Sequence, residues 1–164
     1  MKRRVSLYFA LFVFIMLTMS AFTEETIINY PENYRTWHHV KTAIIEKESS
    51  SFERFGGIHH IYANEKAMKG YLTGKFPEGS VIVFDVLEAD QQEGAVLEGK
   101  RRFVDVMVKN SKKFAATGGW GYEEFEGDSK DVRKIKSTKV AETECFNCHL
   151  KKKDNDFIFS SYRK

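Results

Sequence analysis

Ser80-Val81-Ile82-Val83-Phe84-Asp85-Val86-Leu87-Glu88 is the stretch whose pattern decides the fold. Val81 and Val83 face one way, Ile82, Phe84 and Val86 the other, and a period of two belongs to a strand rather than a helix. The same pattern continues outward. Gln91 to Gly94 is a polar, hairpin-like loop, and a long strand follows from Ala95 to Val108. The second half of that strand sets Val104, Val106 and Val108 opposite Phe103, Asp105 and Met107. Asn110 to Ala116 reads as a short helix or turn, Gly118-Gly119 breaks it, and Trp120 to Phe125 alternates again with Trp120 and Tyr122 on one face. Upstream of the turn Pro77-Glu78-Gly79, a strand from Ile58 to Tyr62 places His59 and Ile61 on one face and Ile58, His60 and Tyr62 on the other. One of the two adjacent histidines must therefore point inward.

Helical signals flank these strands. Asn33 reads as the N-cap of a helix from Tyr34 to about Glu48, with Trp37, Val40 and Ile44 on its inner face and His38 and His39 at the surface or rim. Asn64 caps a second helix, Glu65 to about Thr73, whose inner stripe is Met68, Tyr71 and Leu72, and Gly74 stops it. Glu126 to Lys139 is charged and reads as a solvated loop. The tail Phe157-Ile158-Phe159-Ser160 is apolar enough to pack back on the core. The fold class expected is α+β, an antiparallel sheet with flanking helices.

The chain opens Met1-Lys2-Arg3-Arg4 and runs almost wholly apolar from Val5 to Met19, with small residues at Ser20 and Ala21. A basic start, an apolar run of this length and small residues after it describe a secretory signal over residues 1–21. The run is short for a bilayer span, which needs about 20 residues, so a membrane association is expected only if the signal stays uncleaved. Lys2, Arg3 and Arg4 account for the whole formal charge of +3, which leaves the mature chain close to neutral. That balance points away from nucleic acid as a partner. Residues 22–164 are one domain's worth, enough to bury a real core.

The chemistry of the chain lies near its carboxyl end, in Cys145-Phe146-Asn147-Cys148-His149. Two thiols separated by two residues, with a histidine directly after, form the attachment signature of a c-type haem. The spacing lets Cys145 and Cys148 each form a thioether on one edge of the porphyrin while His149 reaches the iron. These are the only two cysteines in the sequence. A thioredoxin-type disulfide would normally open a helix after an early strand, and a closed zinc site would need a second pair of ligands at suitable spacing. Export agrees with the haem reading, because c-type haem is attached outside the cytoplasm.

Common small electron-transfer cytochromes carry this motif near the amino end and a methionine ligand downstream. Here Met68 and Met107 both lie upstream. A late motif without a sixth ligand suits the four-helix cytochromes c′, but the alternating runs at 80–88, 95–108 and 120–125 contradict a four-helix bundle.

From about Asn29 to Ser160 the chain resembles the cytochrome P-460 / cytochrome c′-beta family. The matching blocks are Asn33-Tyr34-Arg35-Thr36-Trp37, Ile61-Tyr62-Ala63-Asn64, Thr73 to Val83 with its Pro77-Glu78-Gly79 turn, Val108 to Phe114, Gly119-Trp120 and the haem motif. The resemblance implies an α+β domain, a homodimer, and one covalently attached haem c whose iron is five-coordinate with His149 as proximal ligand. It also divides the functional possibilities. The hydroxylamine-oxidising branch carries a lysine, cross-linked to the porphyrin, at the position that here falls on Phe84, and no lysine occurs from Val81 to Glu98. An aromatic residue suits the c′-beta branch, whose distal pockets are capped by phenylalanines and bind nitric oxide or similar small nitrogen species. Phe84 is then a candidate distal cap, or a strand residue of the core. His59 and His60 are the other distal candidates. A histidine reaching the iron would make the haem six-coordinate and the protein an electron-transfer cytochrome with a redox partner protein. One stopping short would donate a hydrogen bond to a bound ligand.

Overall fold

Five strands, hydrogen-bonded in the order in which they occur in the sequence, make one antiparallel sheet in the computed structural model, which describes residues 27–164. They are β1 (His38–Ile45), β2 (Gly57–Ala63), β3 (Val81–Gln92), β4 (Ala95–Lys109) and β5 (Trp120–Glu126). The expected alternation over 80–125 is borne out, with β3 running past its expected end at Glu88 to Gln92. Glu93-Gly94 closes a tight hairpin between β3 and β4, with Gly94 at a φ of 72° that a side chain would resist. Val83, Val86, Val104 and Val106 are fully buried, each contributing about 1.5–3 kcal/mol of apolar burial. The expected signal over 1–21 lies outside the described residues, and among the described ones no helix is long and apolar enough to cross a membrane.

The helix expected over Tyr34–Glu48 does not form. Asn33 adopts a left-handed backbone and its side chain caps nothing; one 3-10 turn, Tyr34–Thr36, precedes β1. Val40, Thr42, Ile44 and Ile45 are β-branched and favour extended backbone. A bulge between His39 and Lys41 inserts one residue into the edge strand and resets its alternation. Apolar residues at 37, 40 and 44 therefore imitate helical spacing, although Trp37 ends the 3-10 turn and Val40 and Ile44 lie on a bulged strand. Ile44, which a helix would have buried, is about half exposed.

Two short helices precede β3. α1 (Phe52–Phe55) is a single turn leading into β2, and α2 (Glu65–Thr73) is capped as expected. Asn64 Oδ1 accepts from the N–H of Ala67 at 2.9 Å and of Val81 at 3.1 Å, while Nδ2 donates to the Gly79 carbonyl at 3.0 Å. One side chain thus ties the start of α2 to the start of β3. Of the expected stripe, α2 buries Met68 and half-buries Tyr71, but Leu72 faces solvent and Ala67 and Gly70 complete the inner side instead. Phe76 folds over Gly70, where a Cβ would come 2.2 Å from its ring, so the helix turns that side inward.

After β5 the chain runs along the strand's edge and enters a helical segment over 138–155, named α3. It begins as an α-turn (Thr138–Val140), widens to a π-turn (Ala141–Phe146), returns to α (Asn147–His149) and tightens to 3-10 (Leu150–Asn155). The tail folds back as expected, burying Ile158 and leaving Phe159 half exposed. One sheet face packs Ala63, Ile82, Trp120 and Tyr122 against α2, α3 and the tail. The other packs Tyr62, Val83, Val104, Val106 and Phe125 against Ile28 and Tyr34.

Candidate haem site

The two cysteines sit where α3 changes pitch. Within the π-turn the Asn147 N–H reaches back to the Glu142 carbonyl, a wide turn of the kind often found at functional positions. Cys145 and Cys148 are three residues apart and share a helix face. Cys145 is half-buried against the core beside Phe146, Cys148 is exposed, and both thiols are free. Burial, with the Asp105 carboxyl nearby, pushes the Cys145 thiol up to about 12. A thiol held protonated is a poor redox nucleophile, which argues against thioredoxin-type exchange.

His149 is the most constrained side chain of the motif. Its Nδ1–H donates to the Phe157 carbonyl at 2.6 Å. Its ring lies between Tyr122 and Phe159, with both ring centroids at 5.1 Å. Burial lowers its proton affinity, so the ring is neutral with the Nδ1–H tautomer fixed by that bond. Nε2 is left with a lone pair, the state a metal-binding imidazole needs.

Antiparallel register arranges the sheet face beneath the motif in rows. Ala63, Ile82, Met107 and Tyr122 form the row nearest His149. The next row is Ile61, Phe84, Asp105 and Glu124, and the one beyond is His59, Val86, Phe103 and Glu126. Although it crosses the middle strands, the row of Ile61, Phe84 and Asp105 is only half-buried. Phe84 meets His59 edge to face at 4.6 Å between centroids and Phe55 at 6.0 Å. His59 is buried and neutral, its affinity for a proton lowered by burial, and its Nε2–H donates to the Phe55 carbonyl. His60 points to the opposite face. There its Nδ1 meets Thr42 Oγ1 at 2.8 Å, and its Nε2 lies at ion-pair distance from Glu98, 2.8 Å, without hydrogen-bond alignment. The structure therefore brings Phe84 and His59 to the face that carries the motif and separates His60 from it.

Asp105 and Glu124 were not singled out from the sequence. They are cross-strand partners on the same face, and Arg54 Nη2 lies 2.8 Å from Glu124. Burial first, then the Glu124 charge, raises the Asp105 carboxyl well above its ordinary value, partly opposed by Arg54. Asp105 thus takes up a proton more readily than an ordinary aspartate. The signal was an acid at an inward strand position, between Phe103 and Met107.

These residues fit a covalently held haem. Two free thiols and an imidazole lone pair share the middle of α3, above a half-covered row of Ile61 and Phe84. Tyr122 Oη, buried beside His149, has no hydrogen-bond partner among the described residues. A family model described as Cytochrome P460 matches residues 31–160. No curated protein matches the chain.

Proposed function

The chain belongs to the cytochrome P460 family, and on that footing we propose that it is an exported c-type haem protein that binds nitric oxide or a related small nitrogen species at an open iron position. Haem supplies the iron that takes the diatomic ligand. Cys145 and Cys148 hold the ring by thioethers, and His149 holds the iron through Nε2. Phe84 and His59 shape the far side.

The observation that carries the reading is the hydrogen bond from His59 to Phe55. His59 is the buried histidine of the sheet face, and its Nε2–H is committed to the Phe55 carbonyl, so the lone pair it keeps is on Nδ1, the ring nitrogen nearer the backbone, with the shorter reach toward an iron. That favours a five-coordinate iron over a histidine pair and hence over simple electron transfer. Phe84 at the cross-linking position disfavours hydroxylamine oxidation. Its apolar ring stands beside His59 and pairs across the strands with Asp105, so it would offer a small ligand an apolar wall flanked by polar groups, and distal polarity is a principal control on haem reactivity.

A ferric electron paramagnetic resonance spectrum tests the proposal: high-spin signals are expected, converting on addition of nitric oxide. A low-spin spectrum would make the protein an electron-transfer cytochrome. Hydroxylamine-dependent reduction of an acceptor dye well above that of free haem would make it an oxidoreductase. We further propose that residues 1–21 direct export and that the protein acts as a homodimer.

A further inference from the structure

Behind His149 the chain reverses through two residues in an uncommon conformation. Asp156 and Phe157 have φ values of 47° and 66°. Aspartate tolerates this left-handed region; a bulky phenylalanine resists it, and such strain persists only where the surroundings over-determine it. The surroundings here converge on one carboxylate. Asp156 Oδ1 accepts from Lys109 Nζ at 2.7 Å and lies 3.4 Å from Trp120 Nε1. Its Oδ2 accepts from the Phe76 N–H at 3.3 Å, and its carbonyl accepts from Trp120 Nε1 at 2.9 Å. Lys109 and Trp120 are both buried, and the ammonium sits 4.9 Å from the indole centre. The end of β4, the start of β5 and the loop after α2 are thereby fastened to one turn. That turn presents the Phe157 carbonyl to His149 Nδ1.

We propose that Asp156 is a positioning residue for His149: clamped by Lys109, Trp120 and the Phe76 N–H, it fixes the turn that aims the Phe157 carbonyl at Nδ1 and so sets the electron richness of Nε2. The inference deepens the proposed function and rests on its assignment of His149 to the iron. Asp156 does not touch the imidazole; it acts through the backbone of the next residue. A short Nδ1–H···O bond raises the basicity of the opposite nitrogen, which strengthens its bond to a metal. Loosening the clamp lengthens that bond and weakens the ligand.

The test uses the full chain matured with its haem. Asp156→Asn keeps a residue that tolerates left-handed backbone while removing the charge that holds Lys109, and Lys109→Met removes the cation from the other side. Resonance Raman of the ferrous protein reads the iron–histidine stretching band, alongside haem content and thermal midpoint. Both variants are expected to move the band to lower frequency, while Asp154→Asn on the exposed side of the same segment leaves it in place. A band unmoved in both variants, however far the midpoint falls, overturns the proposal and assigns the clamp to folding alone. So does failure of both variants to mature. A wild-type protein with no iron–histidine band would instead remove His149 as the ligand, a failure of the underlying reading rather than of the clamp.

Discussion

The His59 and Phe84 rings meet edge to face at 4.6 Å, diagonal neighbours on the sheet face that carries the haem motif. The contact joins the buried histidine of that face to Phe84, the residue that the proposed function sets on the far side of the haem. Phe84→Ala removes an apolar wall from a half-buried site. It should cost about 2 kcal/mol, below the range for a fully buried phenylalanine, and speed nitric oxide association. Stopped-flow binding and denaturant titration measure both effects. A loss of stability with unchanged association would place Phe84 in the core alone.

His59 should make the protein acid-sensitive. Its folded affinity for protons is lowered from the ordinary value of 6.5, so below that pH the unfolded chain binds more protons than the folded one. The stability that His59 contributes is therefore present above about 6.5 and lost as the pH falls toward its lower folded value. His59→Gln keeps a donor for the Phe55 carbonyl without the titration. Thermal midpoints at pH 7.5 and 5 should converge for the variant relative to wild type; an equal drop in both would show that His59 does not titrate with unfolding.

Asp105 should act with the opposite sign. Its folded carboxyl holds a proton above its ordinary value of 3.8, so between that value and the raised one the folded chain binds more protons. Its contribution is best at low pH and declines as the pH rises. Asp105→Asn should then match wild type near pH 4 and exceed it in thermal midpoint at pH 7 to 8. If the variant were weaker at every pH, the carboxylate would be charged and paired with Arg54.

What could be seen in the sequence follows the range of the interactions. Val81 to Val86 and Val104 to Val108 alternate without interruption, so strand and face were legible from local pattern, and the hairpin-like loop between them gave the pairing of β3 with β4. β1 was not, because the bulge at His39/Lys41 shifts its period by one residue and no side-chain pattern marks a bulge. The haem motif was legible because its chemistry depends on spacing along the chain. The Asp156 clamp was not, because it is made by residues 47, 36 and 80 positions away. Leu72 misled for a related reason: Gly70, with no side chain to count in a hydrophobic stripe, faces the core under Phe76.

The unequal exposure of the two thiols gives the last prediction. Cys145 is half-buried beside Phe146 and within the influence of Asp105, whereas Cys148 is exposed. With the haem attached as proposed, each thioether would be an independent covalent tether, so Cys148→Ala should leave the pigment attached through Cys145 and resistant to acidified organic solvent. Its alkaline pyridine haemochrome spectrum should show one unreacted vinyl group. Cys145→Ala should mature in lower yield, because the tether then remaining is the one less fixed by packing. The double variant should release all its pigment. Full extraction from either single variant would mean that the lost thiol was the only one bonded to the ring, and an unshifted haemochrome would mean that it had never been bonded.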